Sequence, residues 1–141
     1  MKKLFALFIS FIMIFCCGLT GFADNNMDVP VDEEIIEEYK YTSYLDNSLS
    51  ISGKNASCMS SVNGFYGTTT KIIITHTLQK KSGSSWVDNT SWTKTFNSWT
   101  AIYSTSKSSL SSGTYRLKTV AKVYKGSSYE TITIYSSTAS C

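Results

Sequence analysis

The sequence predicts an all-β domain, an antiparallel sandwich of about seven strands. Three observations carry this. In the clearest segments apolar and polar residues alternate with a period of two, and no stretch shows a 3.6-residue repeat. From residue 39 onward 23 Ser and 16 Thr stand among 103 residues, and with Tyr, Ile and Val this suits pleated, half-buried surfaces. Clusters of Gly, Ser and Asn recur at short intervals, as turns between short strands do.

The elements follow in order. Residues 48–53 (Leu49, Ile51) and 56–63 (Ala56, Cys58, Val62) read as two strands joined at Gly53-Lys54-Asn55. The stretch from Asn63-Gly64 to Gly67 turns the chain into 70–80. There Ile72, Ile74, His76 and Leu78 share one face, and Lys71, Thr75, Thr77 and Gln79 the other. A turn at Lys81-Ser82-Gly83 precedes a strand at 91–97 (Trp92, Phe96), which leaves Asp88 in the hairpin loop. A further strand covers about 100–106, with Ile102 or Tyr103 as its anchor. After Ser111-Ser112-Gly113, residues 114–124 put Tyr115, Leu117, Thr119, Ala121 and Val123 on one face. Arg116, Lys118 and Lys122 take the opposite face. Lys125 to Ser128 is a turn, and Tyr129 to Ser136 is the return strand of a hairpin. Ile132 and Ile134 point inward there, and Tyr129, Thr131, Thr133 and Tyr135 outward. Alternation of this kind is how an antiparallel sheet with one wet face is written.

The domain is preceded by segments of another kind. Lys2 and Lys3, the apolar run Leu4 to Cys17 and the small residues of Gly21-Phe22-Ala23 read as a signal peptide over 1–23. The expected location is therefore secreted, extracellular, with no stable membrane span after signal cleavage, because the apolar run is short for a bilayer. Residues 24–41 are expected as an acidic, flexible segment, followed by the sandwich domain over 42–141. Positions 24–38 hold seven acids and no base, whereas residues 39–141 hold 11 bases against Asp46, Asp88 and Glu130. The acidic block reads either as a spacer or as an arm that folds back on the basic body as a pro-segment.

Leu110-Ser-Ser-Gly-Thr-Tyr115 followed by an alternating strand resembles the start of the sixth strand in immunoglobulin-like and fibronectin type III-like sandwiches. In those families a tyrosine at this position bonds back to upstream backbone, and Tyr115 is the match. The wider pattern runs from Leu49-Ser-Ile-Ser through residues 70–81 to Gly113-Thr-Tyr-Arg-Leu-Lys and Tyr135-Ser-Ser-Thr. It is similar to an uncharacterised family of small secreted proteins of Gram-positive bacteria. The resemblance implies an immunoglobulin-like β-sandwich and carries no activity. The disulfide between the second and sixth strands of immunoglobulin domains is not implied, because the sixth strand has no cysteine.

Material for catalysis is scarce. His76 is the sole histidine and sits on an apolar stripe, so a packed, hydrogen-bonded role is expected. No paired His or Cys spacing points to a metal, no phosphate-binding loop points to a cofactor, and no Gly-x-Ser-x-Gly motif is present. Neither an enzyme nor a cofactor is expected. Cys58 and Cys141 remain after signal removal. They read as a disulfide worth about 4 kcal/mol, or as a core residue plus a free terminal thiol that can also pair two chains.

Ligand binding is expected instead at Tyr124, Tyr129 and Tyr135, with the basic row of Arg116, Lys118 and Lys122. Rings can stack on sugars, and the basic row attracts anionic polymers. Cross-strand packing and solubility are the plain alternatives. The partners expected are a cell-wall polymer, a glycan or another surface protein, and not nucleic acid. The functional expectation is a secreted, non-enzymatic binding or surface-associated module. Its alternatives are a carbohydrate-binding module using these tyrosines with the Trp86–Trp99 region, and a small toxin or inhibitor with an acidic pro-segment.

Overall fold

The computed structural model describes residues 39–141; the expected signal segment 1–23 and positions 24–38 of the acidic segment lie outside the described residues. Seven main strands and a short eighth follow one another: β1 (Thr42–Ser52), β2 (Asn55–Gly64), β3 (Lys71–Ser82), β4 (Ser85–Phe96), β5 (Thr100–Lys107), β6 (Thr114–Lys125), β7 (Ser128–Tyr135) and β8 (Ala139–Ser140). They form two antiparallel sheets. One has the order β1-β2-β5; the other has β4-β3-β6-β7, with β8 also paired to β6. Among the described residues no helix is long and apolar enough to cross a membrane.

Tight hairpins join β1 to β2, β3 to β4 and β6 to β7. At Gly53 and Gly126 φ is +56° and +61°, while the residue after each has no positive φ. That is the type II′ arrangement, whose twist matches the strands it joins, and it requires glycine at the first loop position.

The alternation in sequence becomes an inside and an outside. Tyr115, Leu117, Thr119, Ala121 and Val123 of β6 are all fully buried, as are Ile72, Ile74, His76 and Leu78 of β3. Two apolar clusters result. One holds Ala56, Cys58, Leu78, Leu110, Tyr115 and Leu117; the other holds Val62, Ile72, Ile74, Ala101, Ala121 and Val123. Full burial of one large aliphatic side chain contributes about 1.5–3 kcal/mol. Between the clusters lies a polar layer to which β1, β2, β3, β5 and β6 contribute. Asn47 Nδ2 donates to Thr119 Oγ1 at 2.9 Å, and His76 bonds Ser60 at 2.8 Å through Nε2 and Thr105 at 2.9 Å through Nδ1.

Two strands are longer than the sequence indicates. β1 begins at Thr42 rather than 48, and Lys40 and Tyr41 before it are bonded to the domain. The Glu130 carboxylate accepts hydrogen bonds from Lys40 N, Tyr41 N and Thr42 Oγ1 at 2.7–2.9 Å. β4 begins at Ser85, so Asp88 lies within a strand and not in the hairpin loop. A bulge opposite Leu78/Gln79 inserts Asn89 as an extra residue. It reverses the facing of β4, so that Trp92 packs on the core while Trp86 and Asp88 turn outward.

Tyr115 fulfils its expected role: its hydroxyl donates to the Ser111 carbonyl at 2.7 Å. Of the two readings of Cys58 and Cys141, bridge or core residue plus free terminal thiol, the structure has the second: both are free thiols. Cys58 is buried on β2, and burial pushes its thiol up, partly offset by a hydrogen bond with Thr105. Cys141 is held in place by reciprocal backbone bonds with Gly113 at 3.0 and 3.1 Å.

Candidate functional site

Strand register places all six expected binding residues on one surface, the outer face of the β4-β3-β6-β7 sheet. Tyr124 lies opposite Tyr129, Lys122 opposite Thr131, and Lys118 opposite Tyr135; Arg116 continues the β6 row. β3 adds Lys71 beside Tyr124 and Gln79 beside Arg116. β4 adds Trp86 beside Lys81 and Asp88 beside Gln79.

The face has two ends, each with cations beside aromatic rings. At one end the Arg116 guanidinium lies between two rings, 4.4 Å from the Trp86 centroid and 4.1 Å from the Tyr135 centroid. Arg116 Nε donates to Gln79 Oε1 at 2.8 Å, and Gln79 Nε2 donates to Asp88 Oδ1 at 2.7 Å. The Arg116 fork is thereby oriented by a chain of three side chains from neighbouring strands. At the other end Lys71 Nζ stands 4.0 Å above the Tyr124 ring, and Lys122 Nζ is 5.4 Å from the Tyr129 ring. The two tyrosine rings are 5.0 Å apart and inclined by 34°. Each such pairing contributes about 0.5–1 kcal/mol at an exposed site. The ground between the ends is hydroxyl-bearing: Thr75 bonds Thr93 at 2.9 Å and Thr77 bonds Ser91 at 3.1 Å.

The expected tryptophan cluster does not form one site. Trp86 joins the outer face, Trp92 packs against the core, and Trp99 meets Tyr66 edge-on at 5.6 Å. Lys71, Lys81, Gln79 and Asp88 are members of the face that the sequence reading missed, and Trp86 entered that reading only as one end of the Trp86–Trp99 region. For Trp86 and Asp88 the bulge at Asn89 conceals the facing; for Lys71 the alternation of β3 already held the signal.

His76 is placed as expected, in the core. Its ring is fully buried, both nitrogens are bonded, and it packs on Tyr103 with centroids 4.6 Å apart. Burial pushes its pKa down to about 4, because the cation would lose its hydration. Ser60, its partner, is buried as well. The three carboxylates of the domain do not converge. Asp46 lies on the outer face of the other sheet, Asp88 on this face, and Glu130 holds the start of β1. Among the described residues no three His, Cys, Asp or Glu side chains gather as a metal site.

No protein-family model matches this chain, and no curated protein matches its sequence.

Proposed function

We propose that the protein is a secreted, non-enzymatic binding module that attaches to an anionic, hydroxyl-rich polymer of the cell surface. The contact surface is the outer face of the β4-β3-β6-β7 sheet. One observation carries the reading: five cations, Lys71, Lys81, Arg116, Lys118 and Lys122, share that face with the single carboxylate Asp88. Such a field raises the local concentration of anionic partners and speeds their capture. The strand order and the Tyr115 hydroxyl bond support an immunoglobulin-like or fibronectin type III-like form of the sandwich.

A carbohydrate-binding module for neutral glycans is the second reading, favoured by the exposure of Tyr129 (53%) and Tyr135 (49%). The placing of the cations weighs against it. Lys71, Lys122 and Arg116 stand over rings that would otherwise stack on sugar, so the tyrosines serve to hold charge.

Cosedimentation with Gram-positive cell walls tests the proposal. Walls carrying their anionic polymers are expected to retain the protein at low salt and release it as salt rises. Equal retention by walls stripped of those polymers would overturn the ionic reading and favour the glycan one.

A further inference from the structure

The basic face is not a uniform carpet of charge. We infer that its two ends are separate anion sites, and that the ligand is a linear, hydroxylated polyanion long enough to engage both. This inference rests on the proposed function.

The Arg116 site is built for an anion that presents two oxygens to a guanidinium fork. Its guanidinium is clamped between Trp86 and Tyr135, and its Nε is occupied by Gln79. Among the described residues its terminal amino groups have no hydrogen-bond partner, so the open edge of the fork is available to a carboxylate or phosphate. Ordering a long side chain normally opposes binding, and here the fold has already ordered it.

The second site has a different character. Lys71 and Lys122 are point charges held over Tyr124 and Tyr129. Six residues of extended strand separate Arg116 from Lys122, about 20 Å at 3.3–3.4 Å per residue. The screening length near physiological salt is about 8 Å, so no single small anion feels both ends strongly. A chain that reaches both makes its second contact intramolecularly, and affinity rises without any new contact.

The middle of the face decides the class of chain. Around Lys118, the exposed Thr131 and Thr133 and the half-buried Thr75 offer hydroxyls suited to a polyol or sugar backbone. Bases of a nucleic acid need open ring faces for stacking, whereas the rings here carry cations and sit at the ends.

The test uses the full secreted chain and two series of graded length, oligouronates for carboxylate and oligomeric polyol phosphates for phosphate. Affinity is expected to rise by about tenfold or more once a chain spans about 20 Å. Arg116→Gln and the double variant Lys71→Gln/Lys122→Gln should each abolish that step while leaving weak binding of short chains at the intact end. Lys94→Gln, off this face, should change nothing. The lysine variants alter only exposed or half-exposed side chains, so the test survives if the arginine variant folds poorly. Affinity that grows smoothly with charge number, without a step, overturns the two-site inference and leaves the binding face standing. Binding to neither series overturns both. Equal affinity for single-stranded DNA of the same length overturns the hydroxylated-polymer assignment.

Discussion

The two outer faces of this sandwich obey the same rules of strand pairing and carry opposite chemistry. The β1-β2-β5 face shows Ser48, Ser50, Ser57, Ser104 and Ser106 around Met59, with Asp46 and no lysine or arginine at its strand positions. The β4-β3-β6-β7 face carries five cations, four of them beside aromatic rings. Inward residues on both sheets answer to packing. Outward ones are free of that demand, so the two faces can differ in chemistry without cost to the core. The serine face adds only the apolar side chains of Met59 and Ile102, both exposed; the basic face is tied together by cation–ring pairs and a Gln79–Asp88 chain.

Four experiments set this contrast against the core beneath it. The largest effect comes from His76, which lies between the faces and belongs to neither. Its folded pKa of about 4 lies below the ordinary 6.5, so below pH 6.5 the unfolded chain takes up a proton that the folded one refuses. Stability is then full above pH 6.5 and falls by about 3 kcal/mol as the pH drops towards 4. Urea midpoints at pH 7 and 4.5 should separate wild type from His76→Gln; parallel losses would remove this role. Next, Glu130→Gln weakens three hydrogen bonds that join the start of β1 to β7. A loss of about 1–2 kcal/mol is expected, with faster amide exchange at Tyr41 and at Gly64 and Phe65 beside it. Trp86→Ala removes one wall of the Arg116 clamp and should cost about 1 kcal/mol. Smallest is Met59→Ser on the serine face, expected within about 0.5 kcal/mol in thermal unfolding. A Met59 effect equal to that of Trp86 would erase the distinction between the faces.

Much of this was legible in the residues. Every inward position of β3 and β6 follows from alternation, and the corner role of Tyr115 follows from Leu110-Ser-Ser-Gly-Thr-Tyr115. Six members of the basic face were legible for the same reason, because β6 and β7 alternate without interruption. Two failures have physical causes. The first half of β1 is hidden because Asn47 occupies an inward position, where its partner Thr119 is distant in sequence. The first half of β4 is hidden because the bulge at Asn89 breaks the period of two. The cation–ring pairings join separate strands, and their register is not written in any one of them.

The polar layer has a further consequence for how the sheets are aligned. Hydrocarbon against hydrocarbon is indifferent to sliding, since a leucine displaced by one pleat still meets another apolar group. Hydroxyl, amide and imidazole groups at a single level are not indifferent. If one sheet shifted by two residues, His76 would face Val62 rather than Ser60, and Asn47 would lose Thr119. Each stranded polar group would cost about 1–3 kcal/mol. Ser60, His76, Thr105, Asn47 and Thr119 thus act as a key that admits one alignment, and so keep the spacing of everything mounted outside it.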